Sequence, residues 1–414
     1  MLILKSKITI TQQPTAVYPN RNLVTVLDFV NNIEINSAWQ NLTDTGKIVL
    51  PKKVYYKNQF GKSITWDGQN IISGVNGKIP LVLRGDKIKI ELGYEYNSLK
   101  ISDENIKVIS TQKTQINKVF EGYISNVDNR IPIELHFEDN MYVLKQIQAE
   151  NKTWKGSEYT LESMLEEMLL TIPGNPFTIK KTIKGAPIET KIGDFTTQNE
   201  TIAEVLNRLQ KDYRFESYFR ENELRCGYIV YYPEDIKTSN FKFQYNIISD
   251  DLLYKRKDDI IIGVEAKAYK MTATSKNNKD GTTKFKTEQI SYFGYFKNNE
   301  LQIVPVEQKP KTFDGEIRTI NLKEMPLNQV KDYVTKELNR VTFDGWRGKF
   351  VTFGLPLVKH GDVVQLIDEV IPERTGQFLV KGVQTNFGVN GFRQEISLDL
   401  RFDTLTQAEI NSGL

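Results

Sequence analysis

Polar and hydrophobic positions alternate over short stretches through most of the chain, and a helical period replaces the alternation in only three places. In Asp86-Lys87-Ile88-Lys89-Ile90-Glu91-Leu92, the residues Ile88, Ile90 and Leu92 share one face of a predicted strand. Leu23–Val30 and Gly46–Pro51 read as further strands. Residues 53–80, glycine-bearing and mixed aromatic and polar, read as a long loop or projecting hairpin and a natural contact element. Leu161, Met164, Leu165, Met168 and Leu169 repeat at i, i+3, i+4, i+7 and i+8. That stripe predicts a helix over about 158–171, ended by Pro173-Gly174.

A second helix is predicted over about 199–213, with Ile202, Val205, Leu206 and Leu209 as its stripe and Thr197-Gln198-Asn199-Glu200 as a capping box. Phe215–Phe219 and Leu224–Tyr232, separated by Arg220-Glu221-Asn222-Glu223, read as a hairpin over 215–232. Strands return at Phe241–Tyr245 and Ile260–Tyr269, followed by a polar loop at Thr274–Gly281. A third helix spans about 327–341, with Pro326 at its start and Leu327, Val330, Val334, Leu338 and Val341 along one side. The remainder, 349–402, is strand, with Asn390-Gly391 as a hairpin turn.

The pattern also repeats itself at long range. Arg84-Gly85-Asp86 followed by an alternating strand is echoed by His360-Gly361-Asp362-Val363-Val364-Gln365-Leu366. The first copy continues through Phe120-Glu121-Gly122-Tyr123-Ile124 to Ile133–Phe137, and the second through Gly376–Val383 to Glu395–Leu400. The same order of turn, aromatic-glycine strand and closing strand therefore occurs twice, as in a duplicated antiparallel β-domain.

The expected fold is mainly β with α+β insertions: two tube-like antiparallel β-barrel or sandwich domains plus smaller α/β domains. Residues 1–152 form the first tube-like domain, 153–235 the small α/β domain, and 236–270 with 345–403 the second tube-like domain. Residues 271–344 are an insertion carrying the third helix, and 404–414 are a C-terminal tail. Three chains of this kind would present six similar surfaces, enough to match a six-fold ring on one side and a three-fold object on the other.

Composition narrows the chemistry. With 414 residues, 39% hydrophobic and 26% charged, the chain is globular rather than disordered. Fifty-five Lys and Arg against 52 Asp and Glu leave +3, too little excess for a dedicated phosphate-backbone binder. One cysteine, Cys226, excludes an intrachain disulfide, and His136 and His360 are too few for a Cys/His zinc set. The start, Met1–Gln13, lacks the pattern of a secretion signal, and no apolar run reaches the ~20 residues of a membrane helix, so synthesis in the cytoplasm without membrane insertion is expected.

Gly74–Ile79 and Gly345–Phe350 lack the spacing and hydroxyl of a phosphate-binding Walker loop, and the dinucleotide, zincin and nucleophile-elbow motifs are absent. His136 and His360 read as solvated or interface side chains. Asp250-Asp251, Asp258-Asp259 and Glu166-Glu167 read as solvated charge, because neighbours on a strand point to opposite faces. No catalytic, cofactor-binding or metal-binding residue is expected.

Gly354–Val364, Gly376–Val380 and Asn390–Ile396 resemble the closing domain of phage tail hub proteins, the baseplate hub and late-control tail protein superfamily shared with contractile injection systems. Phe120–Ile124 through Leu135–Asp139 is similar to that family's first tube-like domain, and residues 199–232 to its small middle domain. The resemblance implies a non-enzymatic virion structural protein of the tail baseplate or tail tip. It would be a homotrimeric hub adapting the hexameric tail tube to a three-fold spike or tip. Its implied partners are a tail tube or distal tail ring protein, a central spike or tip protein and the tape measure protein, with DNA passing through the lumen unbound during genome ejection. Because nothing is appended after Asp403–Gln407 beyond a short tail, any spike or cell-wall-degrading activity is expected in separate proteins.

Two other classes stay open at this point. A carboxylate-dependent glycan hydrolase or glycan-binding module would use the acid pairs and the tyrosines of Tyr228–Tyr232. A non-specific single-strand binder would need Lys276, Lys279, Lys284 and Lys286 beside exposed rings.

Overall fold

The computed structural model describes all residues except 1, 52–53, 58–62, 67–70, 73–77, 103–106, 129–131, 157, 181–193, 228–231, 233–234, 278–282, 299, 325–326 and 404–414. The chain is mainly β, with small helical units.

One sheet runs through both ends of the chain. In its early half, neighbouring strands are Asn32–Ala38, Thr45–Leu50, Ile133–Glu138, Lys107–Asp128, Lys87–Ser102 and Leu2–Thr11. In its late half they are Ile247–Lys255, Gly345–Phe353, Gly391–Arg401, Gly376–Gly388, Val363–Ile367 and Thr238–Lys242. The strands flanking the two Gly-Asp turns and the echoed strands occupy the same places in both orders. The last pair differs in direction, antiparallel in the early half and parallel in the late half.

Strict alternation builds these strands. Ile133, Leu135 and Phe137 are buried while Glu134, His136 and Glu138 face away, and Phe392, Gln394, Ile396, Leu398 and Leu400 repeat the pattern in the late half. The early core gathers Ile8, Ile33, Ile48, Ile88, Ile90, Leu135 and Phe137, and it also takes Phe387 and Phe392 from the late half. The late core is built on Phe241, Phe350, Val363, Leu366, Phe378 and Ile396.

Lys87–Ser102 and Lys107–Asp128 pair along their length, a ribbon on the order of 50 Å long at ~3.3 Å per residue. Val54–Lys57 and Ser63–Trp66 form a hairpin that extends the large sheet beyond Val24–Leu27; much of the rest of 53–80 lies outside the described residues.

The middle unit contains α1 (Met141–Leu144), α2 (Leu161–Leu170) and α3 (Ile202–Tyr213). The α2 and α3 stripes, with Trp154, Phe195, Phe215 and Leu224, make one core. The N-cap of α3 is Thr201, whose hydroxyl accepts from the Glu204 N–H while Glu204 bonds back, so the capping box sits four residues after Thr197-Glu200. Thr197 instead accepts from the Trp154 indole N–H at 3.0 Å. Glu216–Arg220 and Glu223–Gly227 form the expected hairpin, of which 228–231 lie outside the described residues.

A separate four-stranded sheet joins Ile262–Asn277, Thr283–Lys297, Glu300–Pro305 and Glu316–Glu324, covered by α4 (Leu327–Val341). The sequence pattern placed 260–269 with the late β-domain and 274–281 in a loop. The pairing differs: Ile262–Asn277 belongs wholly to this unit, because Val264, Ala266 and Ala268 bury against Val330, Val334 and Leu338 of α4.

Candidate functional site: the repeated turns and the joint between the sheets

The two Gly-Asp turns match bond for bond. Gly85 at φ +91° and Gly361 at φ +80° occupy the left-handed region that favours glycine. The Gly85 N–H donates to the Ile124 carbonyl at 2.8 Å and the Ile124 N–H to the Asp86 carbonyl at 2.8 Å. The Gly361 N–H donates to Val380 at 2.8 Å and the Val380 N–H to Asp362 at 2.9 Å. Each aspartate closes its own turn, Asp86 accepting from the Leu83 N–H at 2.8 Å and Asp362 from the Lys359 N–H at 2.9 Å. The echo also runs further upstream than the Gly-Asp pair, since Pro80-Leu81-Val82 precedes one turn as Pro356-Leu357-Val358 precedes the other.

The side chains around the turns differ. Arg21 and Asp86 are fully enclosed and make a bidentate pair at 2.7 and 2.6 Å. Arg220 stands 3.7 Å from Asp362 and donates to the His360 carbonyl at 2.8 Å.

The halves meet edge to edge. Gly376–Gly388 pairs with Asn32–Ala38, from Gly382 opposite Ala38 to Gly388 opposite Asn32. A Cβ on Gly382 would stand 2.8 Å from that of Ala38, so the close approach needs glycine. The buried Tyr94 hydroxyl donates to the Phe392 carbonyl at 3.0 Å and accepts from the Gly354 N–H at 3.3 Å, a bridge between the halves.

The same geometry leaves two edges open. Ile247–Lys255, at the end of the sheet order, has no further strand beside it among the described residues, and it exposes Ile248 and Leu253 by 45% and 58%. Lys107–Asp128 pairs with Lys87–Ser102 only up to Tyr123, so Ser125–Asp128 has no strand on that side among the described residues. In the late half, the corresponding stretch after Val380 is the one that pairs with Asn32–Ala38.

The middle unit sits on this joint. His360 is 3% exposed, with Nε2 3.5 Å from Asp44, Nδ1 without a partner, and its ring edge-on to Tyr218 at 4.8 Å. Burial first and the Asp44 charge second push the Asp139 carboxyl well above its usual range, against hydrogen bonds from the Asp44 and Met141 N–H groups. Arg340 of α4 lies over the Trp39 ring at 4.7 Å and pairs with Asp399 at 3.2 Å.

The sequence candidates do not converge. His136 is exposed, 3.7 Å from Glu134, on the outer face of the large sheet, whereas His360 is an interface side chain. Asp250 and Asp251 lie on the exposed edge strand, Asp258 and Asp259 in a short turn, and Glu167 bonds Lys152. Cys226 is buried beside Ser217, and burial pushes its thiol up to about 12. Tyr232 is buried under Arg225, and Tyr228–Tyr231 lie outside the described residues. Lys279 lies outside them as well, and Lys276, Lys284 and Lys286 fall on the paired strands of the four-stranded unit. Among the described residues no group of three His, Cys, Asp or Glu could hold a metal ion, and no helix is long and apolar enough to cross a membrane.

This geometry defines a duplicated, sheet-built β-protein with a helical middle unit. The chain shares the fold of the tail protein from Neisseria meningitidis MC58, at a TM-score of 0.54 and 12% identity, over 99% of this chain and 98% of that one. It is also similar to the prophage MuSo2 43 kDa tail protein from Shewanella oneidensis, at a TM-score of 0.49 and 9% identity over 95% and 97% of the two chains. The prophage tail protein gp18 from Listeria monocytogenes EGD-e matches at a TM-score of 0.45 and 12% identity, over 95% and 94%. No protein-family model matches the chain, and no curated protein does.

Proposed function

We propose that the protein is a structural subunit of a phage-type tail, a hub whose two β-halves are neighbouring sectors of a ring closed by three chains. The fold shared with the Neisseria tail protein supports a tail role. The observation that carries the ring is the joint itself. The late half offers the stretch after Val380 to the early half's Asn32–Ala38, and the molecule repeats both elements once more as open edges. Repeating that contact between chains pairs Ile247–Lys255 of one chain with the Ser125–Asp128 edge of the next, and three repeats close six sectors. The domain division that goes with this reading is two tube-like domains, a middle unit, and the α4 unit as an insertion in the late half.

The sheet face turned away from the cores would line the channel. Lys5, Lys7, Lys47 and Lys89 alternate there with Glu34, Glu91, Glu95 and Glu134, and Lys5–Glu95 at 2.8 Å and Lys89–Glu91 at 3.1 Å pair directly. A balanced wall gives a passing polyanion few counterions to release, which suits a conduit for DNA and tape measure protein. On the outer sides of the ring, tube and spike proteins would dock, and no turnover is part of this role.

The test reverses the edge. Ile248→Lys with Leu253→Lys should abolish association in sedimentation while the melting temperature of the monomer stays within about 1 °C, since exposed substitutions cost little. Unchanged association in this variant would refute edge pairing.

A further inference from the structure

The second Gly-Asp turn opens onto a cleft of about 800 Å³ walled by the ribbon at Gln115 and Asn117, by the hairpin Arg220–Arg225 and by Leu355–Asp362. The first turn has no such freedom, because Arg21 saturates both oxygens of Asp86 from inside the core. At the second turn no side chain takes Arg21's part. Arg220 is 3.7 Å from one carboxylate oxygen, and Lys237 and Lys359 add their fields at the same carboxylate.

The other charges in the cleft are already matched. Lys118 is held by Glu121 and Glu221, and Arg225 by Glu223 and Asp235. Three cations therefore surround the single carboxylate of Asp362, a local excess of two positive charges in a partly desolvated place. Burial first, then the neighbouring Arg220, holds the Lys359 ammonium below its usual range, as expected of a cation short of an anion.

We propose that this cleft binds an acidic peptide segment of a partner protein, one of whose carboxylates completes the cluster of Arg220, Lys237 and Lys359 around Asp362. A planar carboxylate fits the free edge of the Arg220 guanidinium. A run of phosphates fits poorly, because Glu221, Glu223 and Asp235 in the walls would repel a continuous polyanion. The site lies within one chain, so it stands or falls independently of the ring.

The probe is a fluorescein-labelled hexaglutamate peptide, titrated by anisotropy against the full-length chain at low and moderate salt. Saturable binding is expected, weakened about tenfold or more in K237E/K359E and left unchanged in K7E, which reverses a charge on the outer sheet face. K237Q/K359Q, which carries no reversed charge, should also weaken binding while keeping the wild-type melting temperature. Absence of saturable binding, equal loss in K7E, or tighter binding of a labelled oligothymidylate than of the peptide would each overturn the proposal.

Discussion

Replacing Arg21 by methionine should unravel the early half far more than replacing Arg220 unravels the late one, although the two arginines serve matching turns. Asp86 has no exposed surface, and Arg21 supplies its only two charged hydrogen bonds, at 2.7 and 2.6 Å; the Leu83 and Gln13 N–H groups supply the others. Removing the cation leaves a buried, uncompensated carboxylate, a change that costs about 3–5 kcal/mol. Asp362 keeps its turn bond from Lys359 and the fields of Lys237 and Lys359 when Arg220 is lost, so that change should cost about 1 kcal/mol. Peptide-resolved hydrogen exchange on the full chain reads both turns in one molecule. At a factor of ten per 1.4 kcal/mol, protection over 87–92 should fall roughly a hundredfold to a few thousandfold in R21M, against about fivefold over 363–367 in R220M. Equal losses at the two turns, or a loss under tenfold in R21M, would refute the reasoning from burial.

Two pH effects follow from buried groups. The raised Asp139 carboxyl contributes stability at acid pH that is lost as pH rises through its folded value, so the melting temperature of D139N relative to the native chain should climb from pH 4.5 to pH 8; a constant gap would contradict it. Lys336 on α4 is pushed down to about 8 by burial, partly offset by Asp332. Its contribution is present above the ordinary lysine range and lost as pH falls from there through 8, so K336M should be the more stable protein at pH 7 by on the order of 3 kcal/mol. That advantage should shrink by pH 10, and thermal melts of the two proteins at both pH values check it.

How much of this was readable in the sequence depends on whether a residue's neighbours in the chain are also its neighbours in the fold. The stripes of α2, α3 and α4 and the alternation around Ile88 and Ile396 were legible because burial on one face imposes a period. The ribbon between 93 and 119 was not, since Asn97-Ser98-Leu99-Lys100-Ile101-Ser102 carries polar residues on both of its faces and shows no clean alternation. Ile262–Asn277 looked like its neighbours in the late half because alternation names a strand without naming its partner. The Gly-Asp echo located the matched turns, and extending the comparison to Pro80-Leu81-Val82 and Pro356-Leu357-Val358 would have strengthened it. Arg21, 65 residues from Asp86, and the contact of Asp44 with His360 exist only through the tertiary fold, and nothing local announces either one.

The central claim is that the open edges of the large sheet close three chains into a ring. Light scattering across a concentration series tests it most directly. The account predicts a stable species at three times the 47.8 kDa chain mass, with no dimer plateau below it, because a head-to-tail contact that turns one third of a circle closes only at three. A monomer at every concentration, or a two-chain species that persists at high concentration, would contradict it.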